Sequence, residues 1–247
     1  MNLWMLVFVL VFTGLIFAFR VINQRRQGRN LRDIPAFYRL GGAVEVAVED
    51  GTRIHIAIGR SEITSPQGAA ALVGLSMLQK ISQIASESDQ PPIATAGSGT
   101  LAILAQDTIR SAYQSQGLFA SYNNSLGRVT GLTPFSYTAG TMPVIIDEAV
   151  SANVLVGSFG NEAALTTSAG ERSQTLTLAG TDNLAGQAVL YATAHEPLVG
   201  EEVYAGGAYL DVNPMHAASL HAQDVIRWIL VALMIGGALL GLVRGFF

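Results

Sequence analysis

Cysteine is absent from the 247 residues. That excludes disulfides, thiolate zinc sites, cysteine-ligated iron–sulfur clusters and a cysteine nucleophile, and it leaves the redox compartment open. Charge is scarce as well: only 13% of residues are Asp, Glu, Lys or Arg, against roughly a quarter in soluble domains. So apolar a chain can bury enough surface to offset its ordering entropy, which argues against extended disorder. The formal net charge of −4 does not suit a general nucleic-acid binder, so no nucleic-acid partner is expected. The hydrophobic excess is concentrated at the two ends.

Residues 3–19 carry no charge, and Val21 and Ile22 extend the run past Arg20. A helix over this stretch reaches about 26 Å before the first arginine, near the lower limit for spanning a bilayer. A cleaved signal peptide would place its positive charge ahead of the apolar run. Here Arg20, Arg25, Arg26, Arg29 and Arg32 follow it, so a retained anchor over residues 1–22 is expected. Residues 23–40 then form a basic collar suited to anionic lipid headgroups. A second apolar run, residues 228–243, is bounded by Arg227 and Arg244, within an expected membrane helix over residues 224–247. Gly237, Gly241 and Gly245 fall four apart, on one face that would let another helix approach closely. Six of the fourteen basic residues lie between Arg20 and Arg39. The positive-inside tendency therefore puts the collar and the body in the cytoplasm and both termini outside.

Between the anchors, residues 41–220 read as one domain. From residue 40 to 220 six basic residues face sixteen acidic ones, a net −10; the mild total hides a basic collar beneath an acidic head. Residues 44–48 and 53–58 alternate with period two around Asp50-Gly51, the pattern of a hairpin. Ser65-Pro66 opens an alanine- and leucine-rich helix to about Ser86. Residues 93–96 read as a strand, 101–114 as a helix, 117–141 as loop-rich, and 143–146 and 152–156 as strands. A helix over 161–173 and β-prone segments at 176–181 and 188–193 complete the domain. Apolar strands alternating with helices predict an α/β class, a three-layer-like mixed or mostly parallel sheet flanked by the two membrane helices. Residues 94–108 and 155–169 resemble each other, as two halves of a duplication would.

The glycine-rich turns, Gly97, Ser98, Gly99, Thr100 and Gly157, Ser158, Gly160, are the candidate ligand sites. A strand entering a helix through small residues presents backbone N–H groups to phosphate or carboxylate. Neither turn has the lysine of a Walker A loop or the third glycine of a dinucleotide fingerprint. Ser98 and Ser158 lack a nucleophile elbow. His195-Glu196 with Glu201-Glu202 is the one His/carboxylate cluster, and Pro197 breaks any helix that would align it for zinc. Asp147-Glu148, after the apolar residues 143–146, sits where α/β sites collect if those residues form a strand. His55 alternates within a strand, and His216 and His221 flank the second anchor. No catalytic set, metal site or cofactor is expected.

Residues 31–37 (LRDIPAF), 132–137 (LTPFSY), 152–165 and 195–202 (HEPLVGEE) resemble an uncharacterised family of bacterial membrane proteins found in Chloroflexota, which carry one domain of unknown function. The resemblance covers nearly the whole chain. It implies a bacterial inner-membrane protein and brings no activity, ligand or catalytic residue. Three functions remain open: a self-associating scaffold or assembly subunit, a domain that binds or processes a small anionic ligand at the glycine turns, and an accessory subunit of a larger membrane complex.

Overall fold

The computed structural model describes residues 3–25 and 31–245. It divides into two compact units, residues 1–32 with 213–247, and residues 33–212.

The first unit is a pair of helices, α1 (Leu3–Arg25) and α9 (Pro214–Gly245), numbered here in chain order. Both are long and apolar enough to cross a membrane, over Leu3–Ile22 and Pro214–Leu242. They pack on each other through Phe19 and His221, whose rings lie 5.7 Å apart. Phe12, Leu15, Ile16 and Phe19 form the half-buried stripe of α1. The second helix begins ten residues before Asp224, the expected helix running over 224–247, because Asn213 caps it through Oδ1, accepting from Met215 N at 2.9 Å, and Pro214 opens it.

The second unit, the head, carries a six-stranded sheet in which every pair is parallel. Its elements are α2 (Pro35–Glu49), β1 (Arg53–Gly59), α3 (Gly68–Ile84), β2 (Ile93–Ala96), α4 (Gly99–Ser115), β3 (Gly127–Val129) and α5 (Pro134–Asp147). There follow β4 (Val150–Ser158), α6 (Ala163–Arg172), β5 (Leu176–Thr181), α7 (Leu184–Thr193), β6 (Glu196–Leu198) and α8 (Gly206–Tyr209). The strand order is β3-β2-β1-β4-β5-β6. Helices α2, α3, α4 and α8 cover one face, and α5, α6 and α7 the other. Ile54, Ile56 and Ile58 alternate towards the first face, where α3 presses so close that a Cβ on Gly74 would meet Val156 O at 2.4 Å. Ala57, Leu155 and Ala179 point to the second, into a cluster with Tyr137, Phe159, Ala163 and Leu190.

Three expected strands are helices. Residues 44–48 belong to α2 rather than to a hairpin, because Phe37, Leu40, Val44 and Ala47 form a buried stripe of helical spacing that outweighs the two-residue alternation. Residues 143–146 belong to α5, which carries Pro143 inside it. An interior proline costs about 3 kcal/mol, and the buried stripe Tyr137, Thr138, Thr141, Val144 and Ile145 offsets it. This helix starts in a reciprocal cap: Thr133 Oγ1 accepts from Ser136 N, and Ser136 Oγ from Thr133 N. Residues 188–193 belong to α7, capped by Asn183 Oδ1 accepting from Gly186 N at 3.0 Å. Helix α3 starts at Gly68 rather than at Ser65-Pro66, since Ser65 spends its carbonyl on Gly68 N and its hydroxyl on Glu62 O.

Candidate functional site

Strand neighbours run outward from the β1–β4 pair, to β2 and β3 on one side and to β5 and β6 on the other. After β1 the chain turns to the helix layer of one face, and after β4 to that of the other. In open α/β sheets such a reversal leaves a crevice at the C-terminal strand ends, the usual ligand position. Here the crevice is narrow at its base. Gly59 and Ser158 are register partners, and a Cβ on Gly157 would lie 1.9 Å from Ile58 O.

Both predicted glycine turns lie at C-terminal strand ends, and they are not equivalent. After β2, Gly97 is buried beneath Arg60; a Cβ there would meet Arg60 Cγ at 2.0 Å. Ser98 caps α4, its Oγ accepting from Leu101 N at 3.3 Å. Gly99 and Thr100 are exposed at the helix start, with nothing within 4 Å of a Cβ on Gly99. After β4, Ser158 is half-buried, and Gly160 N donates to Glu162 Oε1 at 3.0 Å. The turn that was expected to receive an external anion thus holds the chain's own carboxylate. Arg60 Nη2 lies 3.9 Å from that same oxygen. The duplication is not seen in the topology: residues 94–108 form the second strand–helix unit of the first half-sheet, and 155–169 the first unit of the second half.

Arg60 Nε, Ser61 Oγ and Asp182 Oδ1 are buried atoms without a hydrogen-bond partner. All three residues immediately follow β1 or β5. The sequence reading missed Arg60, Ser61, Glu162 and Asp182. The available signal was Gly59-Arg60-Ser61, which ends an apolar strand at the first βα turn, where dinucleotide-type sheets place their ligand loop.

The remaining candidates have structural partners. Asp147-Glu148 ends α5, so it lies at the opposite rim of the sheet from the strand C-termini. Glu148 binds Arg53 Nη1 at 2.6 Å and also Arg128, and Arg53 Nη2 donates to Gln90. Glu196 is buried against Arg39, His195 Nδ1 accepts from Thr177 N, and Glu202 accepts from Val199 N. Among the described residues no three His, Asp or Glu side chains group for a metal. In the first unit, a Cβ on Gly237 or Gly241 would meet nothing within 4 Å, and Gly245 ends α9. Arg20 and Arg32 are exposed and Arg25 ends α1; Arg26 and Arg29 lie outside the described residues.

A buried polar chain crosses the sheet below the crevice. His55 Nδ1 lies 2.7 Å from Asn153 Oδ1, and His55 Nε2 lies 2.9 Å from Thr95 Oγ1. Thr95 Oγ1 in turn lies 3.2 Å from the Tyr137 hydroxyl. With a carbonyl oxygen facing Nδ1, that nitrogen carries the proton and Nε2 accepts from Thr95. Burial holds the imidazole neutral, lowering its pKa to about 4, while the hydrogen bond to Asn153 and the charge of Glu148 oppose the shift. Burial also pushes the Tyr137 hydroxyl up to about 12. Neither group titrates near neutrality.

The family model for the domain of unknown function DUF6754 matches residues 1–247. The chain belongs to the DUF6754 family. Neither a curated protein nor a solved structure matches it. In this DUF6754 chain, the crevice between β1 and β4, with Arg60 laid across it, is the candidate functional site.

Proposed function

We propose that this DUF6754 protein is a membrane-tethered binding module whose head takes a small ligand bearing an anionic group at the crevice between β1 and β4. The observation that carries the reading is Arg60. It sits at the point of strand reversal, its Nε is buried without a partner, and Glu162 is 3.9 Å away, beyond hydrogen-bond length. An anionic ligand would give the guanidinium a bidentate acceptor, and the open start of α4 at Gly99 and Thr100 would add N–H donors. The arginines after the first span support a cytoplasmic head with both termini outside, and the resemblance to bacterial membrane proteins supports a bacterial inner membrane.

Thermal unfolding of the full chain in mild detergent, against a panel of nucleotides and phosphorylated metabolites, tests the reading. At least one compound should raise the midpoint in a concentration-dependent way, because a ligand bound only to the folded state stabilises it. Gly99→Val should abolish that rise without lowering the ligand-free midpoint, since its side chain enters open space. A flat response across the panel sinks the proposal.

A second reading, self-association as a scaffold or as a subunit of a larger membrane complex, draws on α9. Gly237 and Gly241 share a face on which a Cβ would meet nothing within 4 Å, leaving room for another helix. Light scattering in mild detergent should then give more than one chain per particle, and Gly237→Leu with Gly241→Leu should reduce that number. A strict monomer across concentrations removes this reading.

A further inference from the structure

Given the crevice between β1 and β4 as the binding site proposed above, we infer that its ligand is zwitterionic: a small molecule whose anionic group binds Arg60 and whose neighbouring ammonium binds Glu162. The first observation is the charge of the segments that border the crevice. Residues 60–67, 159–162 and 182–183 join β1 to α3, β4 to α6 and β5 to α7. They hold one basic residue, Arg60, and three acidic ones, Glu62, Glu162 and Asp182, a net −2. A polyanion would meet repulsion there that a single guanidinium offsets only in part.

The second observation is the setting of Glu162. It is only 7% exposed, so a charged side chain is almost wholly out of water. Its Oε1 accepts from Gly160 N at 3.0 Å, and Oε2 lies 2.6 Å from where a Cβ on Gly160 would stand, which fixes the carboxylate on the turn. Among the described residues no side-chain donor bonds either oxygen, and Arg60 Nη2 stays 3.9 Å from Oε1. A buried carboxylate with one backbone hydrogen bond keeps acceptor capacity for a donor from outside. The end of β5 is held against the same loop: Thr181 Oγ1 accepts from Phe159 N at 2.9 Å and donates to Phe159 O at 3.1 Å. The next residue along, Asp182, has Oδ1 buried without a partner.

The 3.9 Å between Arg60 and Glu162 decides between a plain anion and a zwitterion. An anion accepting from Arg60 Nε and Nη2 together lies within about 7 Å of Glu162 Oε1, one hydrogen-bond length beyond Nη2. At an effective dielectric constant of about 20, two like unit charges at that distance weaken binding roughly fiftyfold. An ammonium next to the anionic group reverses the sign of that contribution and gives the carboxylate a donor. Because Arg60 and Glu162 stand side by side, the two charges of the ligand are only a few bonds apart, as in an amino acid or an aminoalkyl phosphate. A divalent cation is the competing source of positive charge. Among the described residues no three His, Asp or Glu side chains group to hold one, and the test separates the two.

Phosphoethanolamine and ethyl phosphate are the probes, alike in phosphate and carbon chain and different in the amine. Each is titrated calorimetrically, to millimolar concentrations and without added metal, into the full chain in mild detergent. Phosphoethanolamine should bind tighter by about tenfold or more. Glu162→Gln keeps the shape and an oxygen for Gly160 N but removes the charge. It should weaken phosphoethanolamine and strengthen ethyl phosphate, so that the preference disappears or reverses. A variant that has merely lost its fold cannot gain affinity for ethyl phosphate. Equal binding of the two probes to the parent overturns the zwitterion and leaves the crevice as a simple anion site. So does ethyl phosphate that matches phosphoethanolamine once magnesium is added, which assigns the second charge to a metal ion. Binding of neither probe overturns the zwitterion too, and the crevice itself is then decided by the wider panel of nucleotides and phosphorylated metabolites.

Discussion

Replacing Gly157 by alanine should destabilise the head by about 3 kcal/mol or more, the upper end of overpacking costs. The added Cβ would lie 1.9 Å from Ile58 O and 2.5 Å from its carbonyl carbon. Both are backbone atoms of the neighbouring central strand, so no side-chain rotation relieves the clash. The sheet must instead separate where β1 and β4 pair, next to the register shift between Ala57 and Gly59. Gly99→Ala is the matched control: it adds the same methyl group into open space and should be neutral or slightly stabilising. Both tryptophans, Trp4 and Trp228, lie outside residues 33–212. Far-ultraviolet circular dichroism in mild detergent is therefore the appropriate probe of head unfolding. A Gly157→Ala protein that melts with the parent would show that β1 and β4 do not approach as described.

The second large effect is a pH dependence centred on His55. Unfolded, its imidazole takes a proton near 6.5; folded, it stays neutral down to about 4. Between those values the unfolded chain binds the additional proton, so acid favours unfolding there. His55 contributes its full stabilisation above pH 6.5 and loses it as pH falls towards 4. A shift of this size corresponds to about 3 kcal/mol across the window. Glu148 and Arg128, the charges that act on the ring, remain in a His55→Gln variant, so their titration cancels in the comparison. The variant should start less stable at pH 7, by about 1–3 kcal/mol for a disrupted buried hydrogen-bond chain. It should then lose much less than the parent as pH falls from 6.5 to 4. Urea midpoints at four or five pH values decide it, and parallel curves for the two proteins would refute a buried neutral imidazole.

Parts of this fold are legible in the sequence where local pattern and tertiary role agree. Strands β2, β4 and β5 are short apolar runs with glycine or capping residues at their ends, and α4 and α6 follow the small-residue turns expected of them. Their local signals agree with their tertiary roles. Helices α2, α5 and α7 look like strands in the sequence for the opposite reason. Val44, Val46 and Val48 alternate, Pro143 precedes three β-branched residues, and residues 188–192 are apolar throughout. In each case local preference points to strand while a buried or capped helical stripe decides otherwise. The candidate site followed the same division. The glycine turns were visible as composition. Arg60, drawn across Gly97 from another strand end, was not, because only the sheet order brings residues 37 positions apart into contact.

The sequence by itself determined the things that depend on composition and short-range pattern. These are two terminal apolar helices, an arginine collar next to an acidic head, an α/β class and the absence of thiol chemistry. Each follows from transfer free energy, charge count or residue type, which need no knowledge of neighbours. Only the tertiary structure decided the strand order, and with it the crevice between β1 and β4. It also decided that Glu162 fills one glycine turn while Gly99 stays open, and that His55 is buried neutral. All of these depend on pairings between residues far apart in the chain, whose energies exist only once the sheet has brought the partners together.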